Sequence, residues 1–399
     1  MSKNPLFDLR KRGQSIWYDS ISRGLIASGQ LQKLVDDYAV VGVTSNPTIF
    51  EKAFGGSADY DDDIRALSES GLRAPEIYER LATDDIRRAC DVLMPLYEAT
   101  QHIDGQVSIE VSPWLAHDTQ ETVAEARWLW RTVGRPNLMV KIPGTQEGIP
   151  AVEQLISEGL SINITLLFAV SVYEQVIDAY LKGLERRVAE GQPIDRIHSV
   201  ASFFVSRVDT MVDNELAAQI QASDDATEQA RLRGLLGKAA IANAKLAYQA
   251  FKRVFGQEIP NPRWEALRAK GPNLQRPLWA STSTKNPAYP DTMYVAELVG
   301  PHTVNTVPES ALLAFADHGV VRGTTVEEDI GHAQQVVSEL ADVGIDLQEI
   351  TERRLVVEGV RSFTASFDTL LHQLRTKRDT ILAASPGGQH VALGAEQRR

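Results

Sequence analysis

NLMVKIPGTQEG, residues 137–148, sets one lysine in the middle of a segment that otherwise reads as a buried β-strand. Strand side chains alternate between two faces, so Leu138, Val140 and Ile142 share one face and Met139, Lys141 and Pro143 the other. A lysine in that position needs a reason. An ammonium taken out of water without a partner costs several kcal/mol, and buried amines relieve the cost by giving up a proton, which leaves a nucleophile able to attack a carbonyl. Lys141 is therefore a candidate Schiff-base lysine. A lysine at a strand end can also lift its head to solvent along its aliphatic stem, and this segment alone leaves both uses open.

On either side of this stretch lie other short strand candidates: SIWYDS (15–20), Val40 to Asn46, QVSIEV (106–111), SINITLLF (161–168), His198 to Val205, one within RPLWASTSTKNP (276–287) and one within HTVNTVP (302–308). Helical patterns separate them. Asp118 with Glu121, and Ser171 with Glu174, have the spacing of capping boxes, and Gly159 is a natural helix stop. Eight short strands, several of them near-continuously apolar, interleaved with helices describe parallel strands covered by helices. The count favours a closed (β/α)8 TIM barrel. The rival, a doubly wound open sheet, usually announces a glycine-rich phosphate turn, and neither GxGxxG nor GxxxxGK[ST] follows the first two strands. Such barrels take about 250 residues and tolerate insertions. We expect one domain over residues 1–384, with a helical insertion at about 210–272 and C-terminal helices, followed by a disordered tail at 385–399.

Polar residues recur in phase near the strand ends. Asp19 is in phase with Trp17, Asn46 with Thr44, Glu110 with Ser108, Lys141 with Met139, and Asn163 with Thr165. In a barrel the C-terminal strand ends form the active face, so this phase would gather these groups around one cavity. Each has an ordinary use as well: Asp19 could cap a helix, Asn46 could shape the Asn-Pro turn, and Thr165 could be a plain strand threonine. A lone buried Glu110 has no such use, because it needs a proton or a partner. Five coincidences on five strands favour one site.

Composition narrows the chemistry. A net charge of −12 and a pI near 5.2 argue against general nucleic-acid or anionic-membrane binding, so an anionic substrate would need a local basic pocket. The single cysteine, Cys90, rules out an intramolecular disulfide and suits a reducing cytoplasm. The start lacks the apolar core of a signal peptide, and no run approaches the roughly 18 apolar residues of a membrane span. A soluble cytoplasmic protein is expected. The eight histidines show no HxxxH or HExxH spacing, and no GxSxG elbow occurs, which disfavours metal-dependent and serine-hydrolase readings.

GVTSNPTIF (42–50) and LMVKIPGTQEG (138–148) resemble the two signatures of the transaldolase family, T-[ST]-N-P and the Schiff-base lysine segment. The resemblance runs from about Asp19 to Val307, and the length with its helical insertion is similar to the longer bacterial subgroup. It implies a class I aldolase barrel with the lysine on the fourth strand. It also implies that Lys141 forms the imine and Asp19 is the acid/base for carbon–carbon cleavage. Glu110 and Thr165 would handle the water lost from the carbinolamine. Asn46 and Asn163 would hold dihydroxyacetone hydroxyls, with Thr44 and Ser202 beside them, and Arg207 and Ser281 would bind the substrate phosphate. Where many relatives carry a second phosphate arginine shortly after that serine, this chain reads ASTSTKN (280–286), and Lys285 is the candidate replacement.

The implied reaction moves a dihydroxyacetone unit from sedoheptulose 7-phosphate to glyceraldehyde 3-phosphate, giving erythrose 4-phosphate and fructose 6-phosphate, in the non-oxidative pentose phosphate pathway. No cofactor or metal is implied, the partners are small sugar phosphates, and the protein would be a monomer or homodimer. Two alternatives remain at this stage: an aldolase similar to fructose 6-phosphate aldolase that releases free dihydroxyacetone, and a barrel that binds sugar phosphates without turnover.

Overall fold

Eight strands close on themselves in chain order: β1 (Gln14–Tyr18), β2 (Val40–Val43), β3 (Gln106–Glu110), β4 (Leu138–Pro143), β5 (Ile162–Leu167), β6 (Ser199–Phe204), β7 (Gln275–Ala280) and β8 (Thr303–Val307). All neighbours are parallel, and β8 returns to pair with β1 from Gln14↔Thr303 to Tyr18↔Val307. This computed structural model describes residues 4–258 and 260–384, and the segment 385–399, read above as a tail, lies outside them. The fold is the (β/α)8 barrel that the strand count predicted. Parallel neighbours need crossover connections, and helices supply them because the outward Val, Ile and Leu of each strand must be covered.

The register sets the residues of the lysine site side by side. Glu110 pairs with Lys141 across β3 and β4, and Lys141 pairs with Asn163 across β4 and β5. Below them Trp17 lies across the interior, and it fits because residue 42 is glycine: a Cβ there would sit 2.6 Å from the indole. β5 departs from regularity at its end. Leu166 takes a left-handed φ of 57°, and the β5–β6 register shifts between Ile164 and Leu167. Such a bulge re-aims the neighbouring side chains at a barrel rim.

Two strands end earlier than their sequence suggests. β1 stops at Tyr18 rather than Ser20, and β2 at Val43 rather than Asn46, although single ladder bonds continue from Asp19 N to Val307 O and from Thr44 N to Tyr18 O, each 2.9 Å. The cause at β2 is the helix Pro47–Gly56, whose N-cap is Asn46; its Oδ1 accepts from Ile49 N at 3.0 Å. Asp118 caps the helix Thr119–Val133 as predicted, accepting from Glu121 N, and Gly159 ends Gly148–Glu158 at φ 96°. The box predicted at Ser171 and Glu174 does not form. That helix begins at Val170, so Ser171 falls inside its first turn and donates instead to Glu352.

Among the described residues between β6 and β7 lie four helices, Ser206–Ala222, Ala226–Arg233, Ala239–Phe255 and Pro262–Arg268. Further on after β8, the described residues finish with a long helix, Leu355–Ala384, packed against Pro47–Gly56, with Thr48 Oγ1 donating to Ser366 Oγ at 2.9 Å. Among the described residues no helix is long and apolar enough to cross a membrane.

Candidate active site

A cavity of about 410 Å³ opens at the C-terminal mouth of the barrel, with Lys141 on its wall. Lys141 is 4% exposed, and it is not without partners: Nζ donates to the Ser45 carbonyl at 3.0 Å and lies 3.2 Å from Glu110 Oε2. Ser45 belongs to the TSNP segment and is itself fixed by Ser45 Oγ donating to Ser108 O at 2.8 Å. The two sequence signatures therefore meet at one side chain, Lys141. The turn after the lysine is as constrained as the strand. A Cβ on Gly148 would lie 2.0 Å from the Pro143 carbonyl, and Gly148 N donates to Thr145 Oγ1 at 3.0 Å.

Glu110 stands beside Lys141 and is 6% exposed. Burial pushes its carboxyl above the usual range, opposed first by the Lys141 charge, with Asp19 adding to the rise. Asp19, half-buried, is also raised by desolvation, against a hydrogen bond from Thr44 and the charges of Lys141 and Lys285. Thr44 Oγ1 lies 2.6 Å from Asp19 Oδ1. Both acids thus hold a proton more readily than a free side chain does.

Thr165, fully buried and lining the cavity, has no hydrogen-bond partner for Oγ1 among the described residues. Asn163 is spent differently: Nδ2 donates to Ser108 Oγ at 3.0 Å and Oδ1 accepts from Ser202 Oγ at 2.6 Å. It is held behind the wall, whereas Asn46 and Ser202 reach the cavity. Asn46 uses its oxygen as a helix cap, and its amide nitrogen has no protein partner among the described residues.

The far side of the cavity is cationic. Arg207, half-buried, lies with its guanidinium carbon 5.3 Å from the Phe204 ring centre and 5.7 Å from that of Phe363, and neither a hydrogen bond nor an ion pair holds it among the described residues. Desolvation lowers its pKa, with Glu358 and Glu110 opposing. Lys285 donates to Ser283 Oγ at 2.7 Å; its pKa is lowered by desolvation, then by Arg207 and Lys52. Ser281 turns the chain here with a left-handed φ of 56° and bonds Ser206 at 2.9 Å through the two hydroxyls. Arg207, Lys52 and Lys285 repel one another across this side of the cavity, only partly offset by Asp19, Glu358 and Glu110, so the wall favours an anion.

A second cavity of about 430 Å³ lies at the opposite end of the barrel, beside Ser15, Asp104, His198 and Arg276. It holds neither Lys141, Asp19 nor Glu110. Arg276 there closes the strand starts, donating to Thr303 O at 2.9 Å and lying 3.4 Å from Asp104. Barrels of this class generally carry their chemistry at the C-terminal end, the end where Lys141, Asp19 and Glu110 lie.

Comparison with known proteins agrees with this geometry. The family model described as Transaldolase/Fructose-6-phosphate aldolase matches residues 16–374. The chain belongs to the transaldolase/fructose-6-phosphate aldolase family. It is 50% identical to Transaldolase 2 of Nostoc punctiforme over 380 residues, covering 94% of this chain and 98% of that protein. It is 51% identical to the transaldolase of Acidothermus cellulolyticus over 367 residues, covering 92% and 95%, and 47% identical to that of Mycobacterium marinum over 381 residues, covering 95% and 99%.

Among the cavity-lining residues that escaped the sequence reading are Lys52, Thr306 and Phe363. Lys52 had a helical signal. Pro47, Phe50, Ala53 and Phe54 form the buried face of their helix, which leaves Thr48, Ile49 and Lys52 on the side that meets the cavity. Thr306 lies near the end of β8 as Lys141 and Glu110 lie near the ends of their strands, and the same phase argument would have found it. Phe363 carries no local signal, since only the path of the last helix brings it over the barrel.

Proposed function

We propose that the protein acts as a transaldolase, moving a dihydroxyacetone unit between sugar phosphates: from sedoheptulose 7-phosphate to glyceraldehyde 3-phosphate, and in reverse. The observation that carries this reading is a buried lysine 3.2 Å from a carboxylate, opening into a cavity with a second carboxylate and a cluster of cations. Glu110, with its raised pKa, takes the ammonium proton, and the free amine of Lys141 adds to the ketone carbon. Glu110 and Thr165 then deliver that proton, through water, to the departing hydroxyl, and the imine forms as water leaves.

Asp19 accepts the C4 hydroxyl proton as the C3–C4 bond breaks, the electron pair moving into the imine to leave an enamine. The aldehyde product departs, a second aldehyde enters, and the steps run backward with Asp19 returning the proton. Arg207, Ser281 and Lys285 hold the phosphate, while Asn46 and Ser202 hold hydroxyls of the three-carbon unit. We assign Asn163 to positioning Ser202 through their 2.6 Å bond. The protein would work as a single domain in the cytoplasm.

The test is a coupled assay for glyceraldehyde 3-phosphate released from fructose 6-phosphate, with and without erythrose 4-phosphate. Turnover that depends on the acceptor supports transfer. Equal turnover without it makes the protein an aldolase, and no turnover in either case leaves a binding barrel.

A further inference from the structure

Thr306 has no part in the chemistry above, yet it sits at the end of a short hydroxyl chain that leads to Asp19. Its Oγ1, on β8, lies 2.5 Å from Thr44 Oγ1 on β2, and Thr44 Oγ1 lies 2.6 Å from Asp19 Oδ1, just past β1. Both threonines are buried, Thr44 at 2% and Thr306 at 3% exposure. A threonine hydroxyl has one proton to give and lone pairs to accept with. When Asp19 is ionised, Thr44 must spend its proton on the carboxylate, so Thr306 must be the donor to Thr44. When Asp19 carries the proton, the acid donates to Thr44 and the chain reverses, Thr44 donating to Thr306. A hydroxyl pair serves both states by rotating two O–H bonds. An amide, with fixed donor and acceptor ends, would not.

We infer that Thr306 is a positioning residue that acts through Thr44 to hold Asp19 in one geometry while it takes up and returns the reaction proton. The inference rests on the reading of Asp19 as the acid/base of carbon–carbon cleavage. The charged and titratable groups that act on Asp19 or its neighbour are Lys141 and Lys285, which favour its ionised form, and Glu110 and Tyr18, which do not. None of them is altered by a change at residue 306, so the hydroxyl chain can be tested by itself.

The experiment measures kcat, KM and the pH profile of fructose 6-phosphate cleavage with acceptor present, in Thr306→Val and Thr306→Ser. Valine keeps the shape and removes the donor. Loss of a donor to the ionised form raises the acid's pKa, so the acidic limb of kcat should move upward by about 0.4 to 1 pH unit and kcat at the limb should fall about two- to tenfold, with KM changed less than kcat. Thr306→Ser should restore the limb. Thr44→Val should give the same shift, larger, and adding Thr306→Val to it should give no further shift, because the path runs through Thr44. An acidic limb that stays in place in Thr306→Val, a serine variant that fails to restore it, or additive shifts in the double variant would each overturn the inference. Wild-type cleavage by Asp19→Ala would instead overturn the assignment of Asp19.

Discussion

At the scale of the residue, the proposed site gives two carboxylates different neighbours. Glu110 faces the lysine at 3.2 Å and is nearly sealed, whereas Asp19 faces the open cavity and a threonine hydroxyl at 2.6 Å. Both are raised by burial, and in the proposed reaction Glu110 exchanges protons with Lys141 and Asp19 with the substrate. Their removal should therefore stall the reaction at different steps. Asp19→Ala should still form the imine and accumulate the uncleaved ketose, with cleavage slowed about 10²- to 10⁴-fold, the usual contribution of a positioned acid/base. Glu110→Gln should slow imine formation itself. Single-turnover mixing with fructose 6-phosphate, quenched with borohydride at short times, separates the two; a block at the same step in both variants would refute the division of roles.

At the scale of the element, the cations come from three separate pieces of chain: the helix Pro47–Gly56, the start of Ser206–Ala222, and the turn after β7. Two lysines on different supports, Lys285 and Lys52, are the candidates to meet the departure from the family's arginine pattern. Arg207 is half-buried between two rings and presents a planar fork, while both lysines sit exposed at the rim as point charges. Arg207→Ala should lower the ratio of kcat/KM for phosphorylated over unphosphorylated ketose about 10- to 150-fold, the worth of a hydrogen bond to a charged group. Lys285→Ala and Lys52→Ala should lower the same ratio by less. A ratio that holds in Lys285→Ala would leave Lys52 as the replacement for the missing arginine.

At the scale of the whole molecule, what the sequence discloses is what neighbours in the chain decide. The order and number of strands follow from period-two patterns broken by helices, and the closed barrel follows from them. The row Glu110, Lys141 and Asn163 is legible because phase on adjacent strands becomes register in the sheet. Boundaries are less legible: Asn46 reads as strand or cap until a helix is known to begin at Pro47, and Ser171 has a cap's spacing without a cap's position. Contacts between distant segments leave no local trace at all. Phe363 reaches Arg207 only because the last helix crosses the mouth, and Asn163 turns away from the cavity only because Ser108 and Ser202 claim both ends of its amide.

The account stands or falls on the covalent role of Lys141, and one measurement reaches it directly. The protein is incubated with fructose 6-phosphate, reduced with borohydride, digested and mapped by mass spectrometry, because reduction freezes an imine on the amine that formed it. A three-carbon adduct on Lys141 is the predicted result. An adduct on another lysine, or none while turnover proceeds, would contradict the account.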